Sequence, residues 1–168
     1  MKKAGFTLIE LLVVILIMGM LTTIVIVNFQ AQRQSQEIEA ARQDVLSRLR
    51  QSQSDLLGGR ILSGETAAAA SYEMTFTTGR NTYQIDYFIG TNRKALETMK
   101  TLQNTQIQQI LVAGSSRSQV VLRFTAPYGA ITADGAANQT VQIQLAHAKS
   151  GRTKTVVIDG VSGRIGAQ

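Results

Sequence analysis

One carboxylate, Glu10, stands inside an apolar run that extends from Phe6 to Val27 with no other charge and no proline. Placed within a membrane, such a group costs roughly 2.5–3.5 kcal/mol at the centre and less near an end, so it persists only where it has a partner. Glu10 therefore requires a cation. The other chemistry the chain offers is electrostatic: residues 60–168 carry 11 bases (Arg60, Arg80, Arg93, Lys94, Lys100, Arg117, Arg123, Lys149, Arg152, Lys154, Arg164) against six acids. A basic face of this kind binds phosphate without sequence preference. Four of the bases, Lys149, Arg152, Lys154 and Arg164, converge if the last two strands form a hairpin, which makes them the candidate nucleic-acid contacts.

Catalytic and metal chemistry have little to work with. His147 is the lone histidine, set among alanines in a strand pattern, and reads as a surface or strand-end residue rather than a ligand or general base. With no cysteine and one histidine a zinc site lacks ligands, and Asp86, Asp134 and Asp159 are too dispersed for a calcium loop. No P-loop, GxGxxG or GxSxG sequence occurs. The expectation is a protein that is not an enzyme and takes no cofactor.

The elements that position Glu10 follow from the same run. About 20 apolar residues suffice to cross a bilayer core, and Lys2 and Lys3 upstream orient the N-terminus to the cytoplasm and the remainder outside it. A cleavable secretory signal has a core of roughly 7–15 residues followed by a small-residue site. Here Val25-Ile26-Val27-Asn28-Phe29 offers no such site, and the small residue before a plausible cut, Gly5, precedes the run instead.

Taken as it stands, Gly5-Phe6-Thr7-Leu8-Ile9-Glu10 resembles the class III leader junction of type IV prepilins and of the pseudopilins of type II secretion. The resemblance implies cleavage after Gly5 by a membrane-embedded prepilin peptidase, methylation of the new amino terminus at Phe6, and an assembly role for Glu10 as the fifth mature residue. In staggered helices, the carboxylate of one subunit meets the N-terminal ammonium of its neighbour, and each offsets the other's desolvation. The implied partners are that peptidase and methyltransferase, other pilins or pseudopilins through the N-terminal helix, and an inner-membrane assembly platform. The implied location is the bacterial inner membrane, single-pass, and then a filament. Two features depart from many major pilins and favour a minor subunit: Val27 stands two turns beyond Gly19 where the family usually has proline, and there is no cysteine for a C-terminal disulfide.

Beyond residue 30 the solvent of the helix changes. Ile38, Ala41, Val45, Leu49 and Leu56, with Leu46 and Leu57 beside them, draw one apolar stripe among Gln, Arg, Glu and Ser, and Gly58-Gly59 ends it. The period then becomes two: Tyr72, Met74 and Phe76, then Tyr83, Ile85, Tyr87 and Ile89, then Val141, Ile143 and Leu145. Further strands are expected at 106–113, 119–125 and 154–159. The spacing of Ala95, Leu96, Met99 and Leu102 predicts a short amphipathic helix over 91–102. These periods give an α+β chain, a long N-terminal helix, transmembrane and then amphipathic, packed on a C-terminal antiparallel β-sheet or sandwich. The resemblance implies that this is the type IV pilin fold. The expected organisation is a leader over 1–5, an apolar assembly half over 6–29, an amphipathic half over 30–57, a linker over 58–71 and a β-rich domain over 72–168.

The C-terminal half carries a second, finer resemblance. Val120-Val121-Leu122-Arg123-Phe124 followed by Pro127-Tyr128-Gly129, then Thr155-Val156-Val157-Ile158 closing at Gly163-Arg164-Ile165, is similar to H-type minor pseudopilins and to minor pilins of the fimbrial T type. The implied function is a structural subunit of a type II secretion pseudopilus or type IV pilus. The alternative is a DNA-binding minor pilin of an uptake filament. Such pilins carry a Gly-Arg-x-Arg-like element, of which Gly163-Arg164-Ile165-Gly166 keeps the first arginine and lacks the second.

Overall fold

The computed structural model describes residues 7–100 and 104–167, with the side chains of 23–28 and 100 outside the description. The chain divides into two compact units, Met1–Gln36 and Glu37–Gln168. One helix, α1 (Leu8–Leu57), contributes to both.

In the first unit the described large apolar side chains of α1 from Leu8 to Leu21 are 45–82 % exposed. Among the described residues no helix is long and apolar enough to cross a membrane. The expected span also needs residue 6 and the side chains of 23–27, which lie outside the description.

In the second unit the same helix has a dry face. Ile38, Ala41, Val45, Leu46, Leu49 and Leu56 are buried to 4 % exposure or less, at helical spacing. The helix stops through a Schellman motif: the Arg60 N–H donates to the Asp55 carbonyl (3.0 Å) and the Gly59 N–H to that of Leu56 (3.2 Å). Gly59 takes φ 61°, which costs glycine nothing.

Among the described residues eleven strands follow, all paired antiparallel: β1 (Ser71–Thr77), β2 (Thr82–Ile89), β3 (Asn92–Lys100), β4 (Thr105–Val112), β5 (Ser115–Arg117), β6 (Gln119–Thr125), β7 (Ala130–Ala133), β8 (Ala136–Ala137), β9 (Thr140–His147), β10 (Thr153–Asp159) and β11 (Arg164–Ala167). They form a six-stranded sheet in the order β3-β2-β1-β6-β7-β8 and a five-stranded sheet in the order β11-β10-β9-β4-β5. Alternate residues point inward, as the period of two requires. Tyr72, Met74 and Phe76 on β1, Ile107 and Ile110 on β4, and Ile143 and Leu145 on β9 join Ala41, Val45 and Leu49 of α1 in one core. Each fully buried side chain contributes roughly 1.5–3 kcal/mol. The α+β class with a helix on antiparallel sheet, consistent with the type IV pilin fold, is thus what the chain adopts.

One expected element is of the other kind. Residues 92–100 are strand β3, not helix, and Leu102 lies outside the described residues. The register explains the mistaken period: Ile85 faces Glu97 and Asp86 faces Ala95, so Leu96 is an extra residue, a β-bulge. The bulge shifts the alternation by one position and leaves Ala95, Leu96 and Met99 at spacings that mimic a helix. Together with Lys94, it also blunts the open edge of the sheet against pairing with another chain.

Candidate functional site

Gly5 and Phe6, the expected cleavage and methylation positions, lie outside the described residues. Glu10 does not. It closes the first turn of α1: its Oε2 accepts from the Thr7 N–H and from Thr7 Oγ1, both at 2.9 Å, while Thr7 Oγ1 accepts from the Glu10 N–H at 3.3 Å. This reciprocal pair is a capping box, and it satisfies two donors that a helix start otherwise leaves open. The signature Thr7-x-x-Glu10 is plain in the sequence, and it gives Glu10 a partner within its own first turn that is not a cation. Within one chain the carboxylate is held by neutral donors of Thr7 at the head of an exposed apolar surface.

The four basic candidates are not brought together. Lys149 and Arg152 occupy the turn between β9 and β10, and Lys154 lies 3.6 Å from Glu39 of α1. The last two strands do form a hairpin, but its register sets Arg164 against Asp159. That is five residues along β10 from Lys154, about 17 Å at strand rise. Asp159 is held below its ordinary carboxylate range by the Ser162 hydroxyl and the Val161 N–H, with Arg164 adding to the effect. Convergence on one phosphate-binding face is therefore corrected by register: a hairpin aligns residues across the strands and separates those at its two ends.

Two polar clusters were not foreseen. On the outer face of the six-stranded sheet, Glu73 and Asp86 are cross-strand partners and both are buried, Asp86 to 1 % exposure. Arg123 Nε donates to Glu73 Oε1 at 2.7 Å, Arg93 Nε donates to Asp86 Oδ2 at 3.0 Å, and Gln84 supplies Asp86 Oδ1 at 2.9 Å. The hydrogen bond to Asp86 raises Arg93 above its ordinary range. Two carboxylates against two guanidiniums leave the ladder neutral, and unpaired either acid would be costly to bury. Beside it, Glu73, Arg123, Thr125, Thr132 and Asp134 line an open recess of about 550 Å³.

The second cluster centres on His147, which is 1 % exposed rather than on the surface. Its Nε2 is 3.0 Å from Glu37 Oε2, and its Nδ1 accepts the Ser150 N–H at 3.2 Å with Ser150 Oγ at 3.1 Å. A serine, a histidine and a glutamate in line invite a hydrolytic interpretation. The backbone N–H on Nδ1 argues against it, because the lone pair that would take a serine proton is already engaged. The ring instead fixes the end of β9 to α1 at Glu37, where Asn104 Nδ2 also reaches the same carboxylate oxygen (3.4 Å). Among the described residues no three His, Asp or Glu side chains gather to hold a metal.

Residues 1–26 match a family model described as the prokaryotic N-terminal methylation motif. No curated protein and no solved structure matches the chain. The matched segment ends before the second unit begins, so the likeness to type IV pilins rests on the N-terminus, with the α+β fold consistent with it.

Proposed function

We propose that this chain is a pilin-like structural subunit, cut after Gly5 by a prepilin peptidase, methylated at Phe6, anchored in the inner membrane by the apolar half of α1, and assembled into a type II secretion pseudopilus or a type IV pilus as a minor component. One observation carries the proposal: the methylation motif at residues 1–26 opens a helix whose apolar side chains are exposed through Leu21 and buried from Ile38 onward. Exposed apolar surface of this extent is stable only against lipid or against the same surface of neighbouring subunits. In lipid it anchors; in a filament it supplies lateral packing. Glu10, capped by Thr7 in the single chain, exchanges its neutral donors for a neighbour's ammonium on assembly. The β-domain supplies the outer surface.

Intact-mass measurement of the membrane-extracted protein tests the processing. The expected mature chain begins at Phe6 with one added methyl group, and Gly5→Val blocks the cut. An uncut chain in cells with active peptidase, or a chain starting after Val27, sinks the proposal. Glu10→Ala should leave cleavage and insertion intact while reducing co-purification with other pilins, because its partner lies on another subunit. Deleting the gene and scoring secretion, piliation and DNA uptake in parallel identifies the machine.

A further inference from the structure

The outer face of the six-stranded sheet follows from the period of two. Leu122 and Phe124 of β6 are at 0 % exposure in the core, so Val121, Arg123 and Thr125 stand on the opposite face. The register sets Arg123 against Glu73 of β1 on one side and against Thr132 of β7 on the other. Past β7 the chain turns at Asp134-Gly135, both at positive φ, 49° and 81°. The turn folds back on β6: Asp134 Oδ1 accepts the Val121 N–H, and the Asp134 N–H donates to the Val121 carbonyl, both at 2.9 Å. These groups frame the recess of about 550 Å³, inside the range of roughly 300–1,000 Å³ typical of small-molecule sites.

The polar groups of the recess are held in place before any ligand arrives. Arg123 Nε donates to Glu73 Oε1 at 2.7 Å, and its guanidinium carbon lies 4.9 Å from the centre of the Phe88 ring. Clamped between a buried carboxylate and an aromatic face, this arginine is still 47 % exposed. A guanidinium has five N–H donors, more than Glu73 takes up, and the clamp leaves it little rotamer freedom to lose. Asp134 spends Oδ1 on β6, and its Oδ2 has no partner among the described residues. Thr125 and Thr132 add two hydroxyls that each donate and accept, and neither makes a hydrogen bond among the described residues. Val121 and Gly135 supply apolar surface between them.

We propose that this recess is a binding site for a neutral polyhydroxyl ligand, a hexopyranose unit of a saccharide, held by Arg123, Thr125, Thr132 and Asp134. The site goes beyond the structural role proposed above and does not depend on it. Charge balance selects the ligand class. Two carboxylates, Glu73 and Asp134, stand against one guanidinium, so an anion meets net negative charge and a cation already neutralised. A metal ion finds one uncommitted carboxylate oxygen, too few ligands for any hard cation. An ammonium group pairs with Asp134 alone, in an exposed contact that contributes little. Neighbouring hydroxyls of a sugar each donate and accept, so they satisfy Asp134 Oδ2, the spare Arg123 donors and both threonines at once, while the ring C–H face lies on Val121. Because the recess is open to solvent it covers one side of a ring, and the expected affinity is millimolar.

Amide chemical shifts of the full-length chain, in a phosphocholine detergent free of sugar headgroups, test the site. The probes are the methyl pyranosides of glucose, galactose and mannose, with inorganic phosphate and butylammonium as charged counterparts. At least one pyranoside should give saturable millimolar shifts confined to Val121, Thr125, Thr132 and Gly135, unchanged between low and molar salt because the ligand is neutral. Phosphate and butylammonium should move none of these amides. Thr132→Val keeps a β-branched strand residue and removes the hydroxyl, and Asp134→Asn keeps an acceptor for the Val121 N–H while losing the charge. Each should weaken binding about tenfold, the scale of one hydrogen bond to a charged or well-placed group. Thr140→Val, on β9 of the other sheet, should leave binding unchanged. The titration of the unsubstituted chain stands whether or not the variants fold. Silence of the recess toward all three pyranosides overturns the inference, as does binding indifferent to both recess variants. Shifts at these amides with phosphate or butylammonium, or loss of binding in salt, also overturn it and assign the recess to a charged ligand.

Discussion

One helix runs through two environments, and its apolar residues meet opposite fates. Leu16 is 56 % exposed, while Leu49, the same residue type on the same element, is at 0 %. Secondary structure is identical in the two places, so it does not set the difference. The stretch ahead of Gln36 has apolar residues all round the helix, and its described large apolar side chains from Leu8 to Leu21 are exposed, whereas the stretch beyond Glu37 confines them to one stripe against two sheets. An all-round apolar helix belongs in lipid or among its own kind, and a striped one belongs on a domain. On the proposed function the first half serves contacts between molecules, while the second makes its contacts within one.

The sharpest test of that contrast substitutes one leucine in each half. Leu49→Ala should destabilise the domain by about 2–5 kcal/mol, since it opens a cavity in a close-packed core. Leu16→Ala should leave denaturant unfolding of the domain unchanged within roughly 0.5 kcal/mol. Chemical denaturation of the detergent-solubilised chain measures both; equal losses would break the distinction between the halves.

A smaller effect is expected where the halves join. His147→Ala removes the shorter of the two described hydrogen bonds to Glu37 and should cost about 1–3 kcal/mol, in the range for a buried hydrogen-bonded polar group. Amide exchange should locate the loosening at the turn between β9 and β10 and at α1 near Glu37. Protection lost evenly over the domain would count against a local latch.

At the start of the helix, Thr7→Ala removes one side of the capping box and should cost roughly 0.5–2 kcal/mol of local helix stability. Faster amide exchange over the first turn, with the β-domain untouched, is the expected result. A domain-wide change would mean the first half is not energetically separate.

The smallest effect is one of pH. Tyr83 is raised above its ordinary phenol range by burial, with Asp44 beside its hydroxyl adding to the shift. Tyr72 is raised chiefly by burial, and Tyr87 chiefly by its hydrogen bond to Glu65. A phenol whose ionisation is harder in the folded state leaves stability unaffected at low pH. Stability then falls as pH rises through the unfolded value near 10.0. Urea melts between pH 8 and about 11 should show that decline, and Tyr83→Phe should flatten it. A steeper decline in Tyr83→Phe would reverse the sign.

Much of the fold was legible because it is written in local periods. The stripe from Ile38 to Leu56 and the alternations at Tyr72, Tyr83 and Val141 depend only on which side of an element faces the core, and helix and strand each have one repeat. Strand β3 was not legible, because the unpaired Leu96 erased the repeat. Short β5, β7 and β8 are too brief to show one.

The sites divide along the same line. The sequence by itself determined the apolar run, the single acid at Glu10, the motif across Gly5 and Phe6, and the α+β class, all of which follow from residue type at short spacing. Only the tertiary structure decided that His147 is buried against Glu37, that Glu73 and Asp86 are neutralised by Arg123 and Arg93, and that Arg164 stands apart from Lys149 and Arg152. Those outcomes depend on strand register and on which turns meet at one end of a sheet. Such pairings join residues up to 110 positions apart, as His147 and Glu37 are, and no local repeat encodes them.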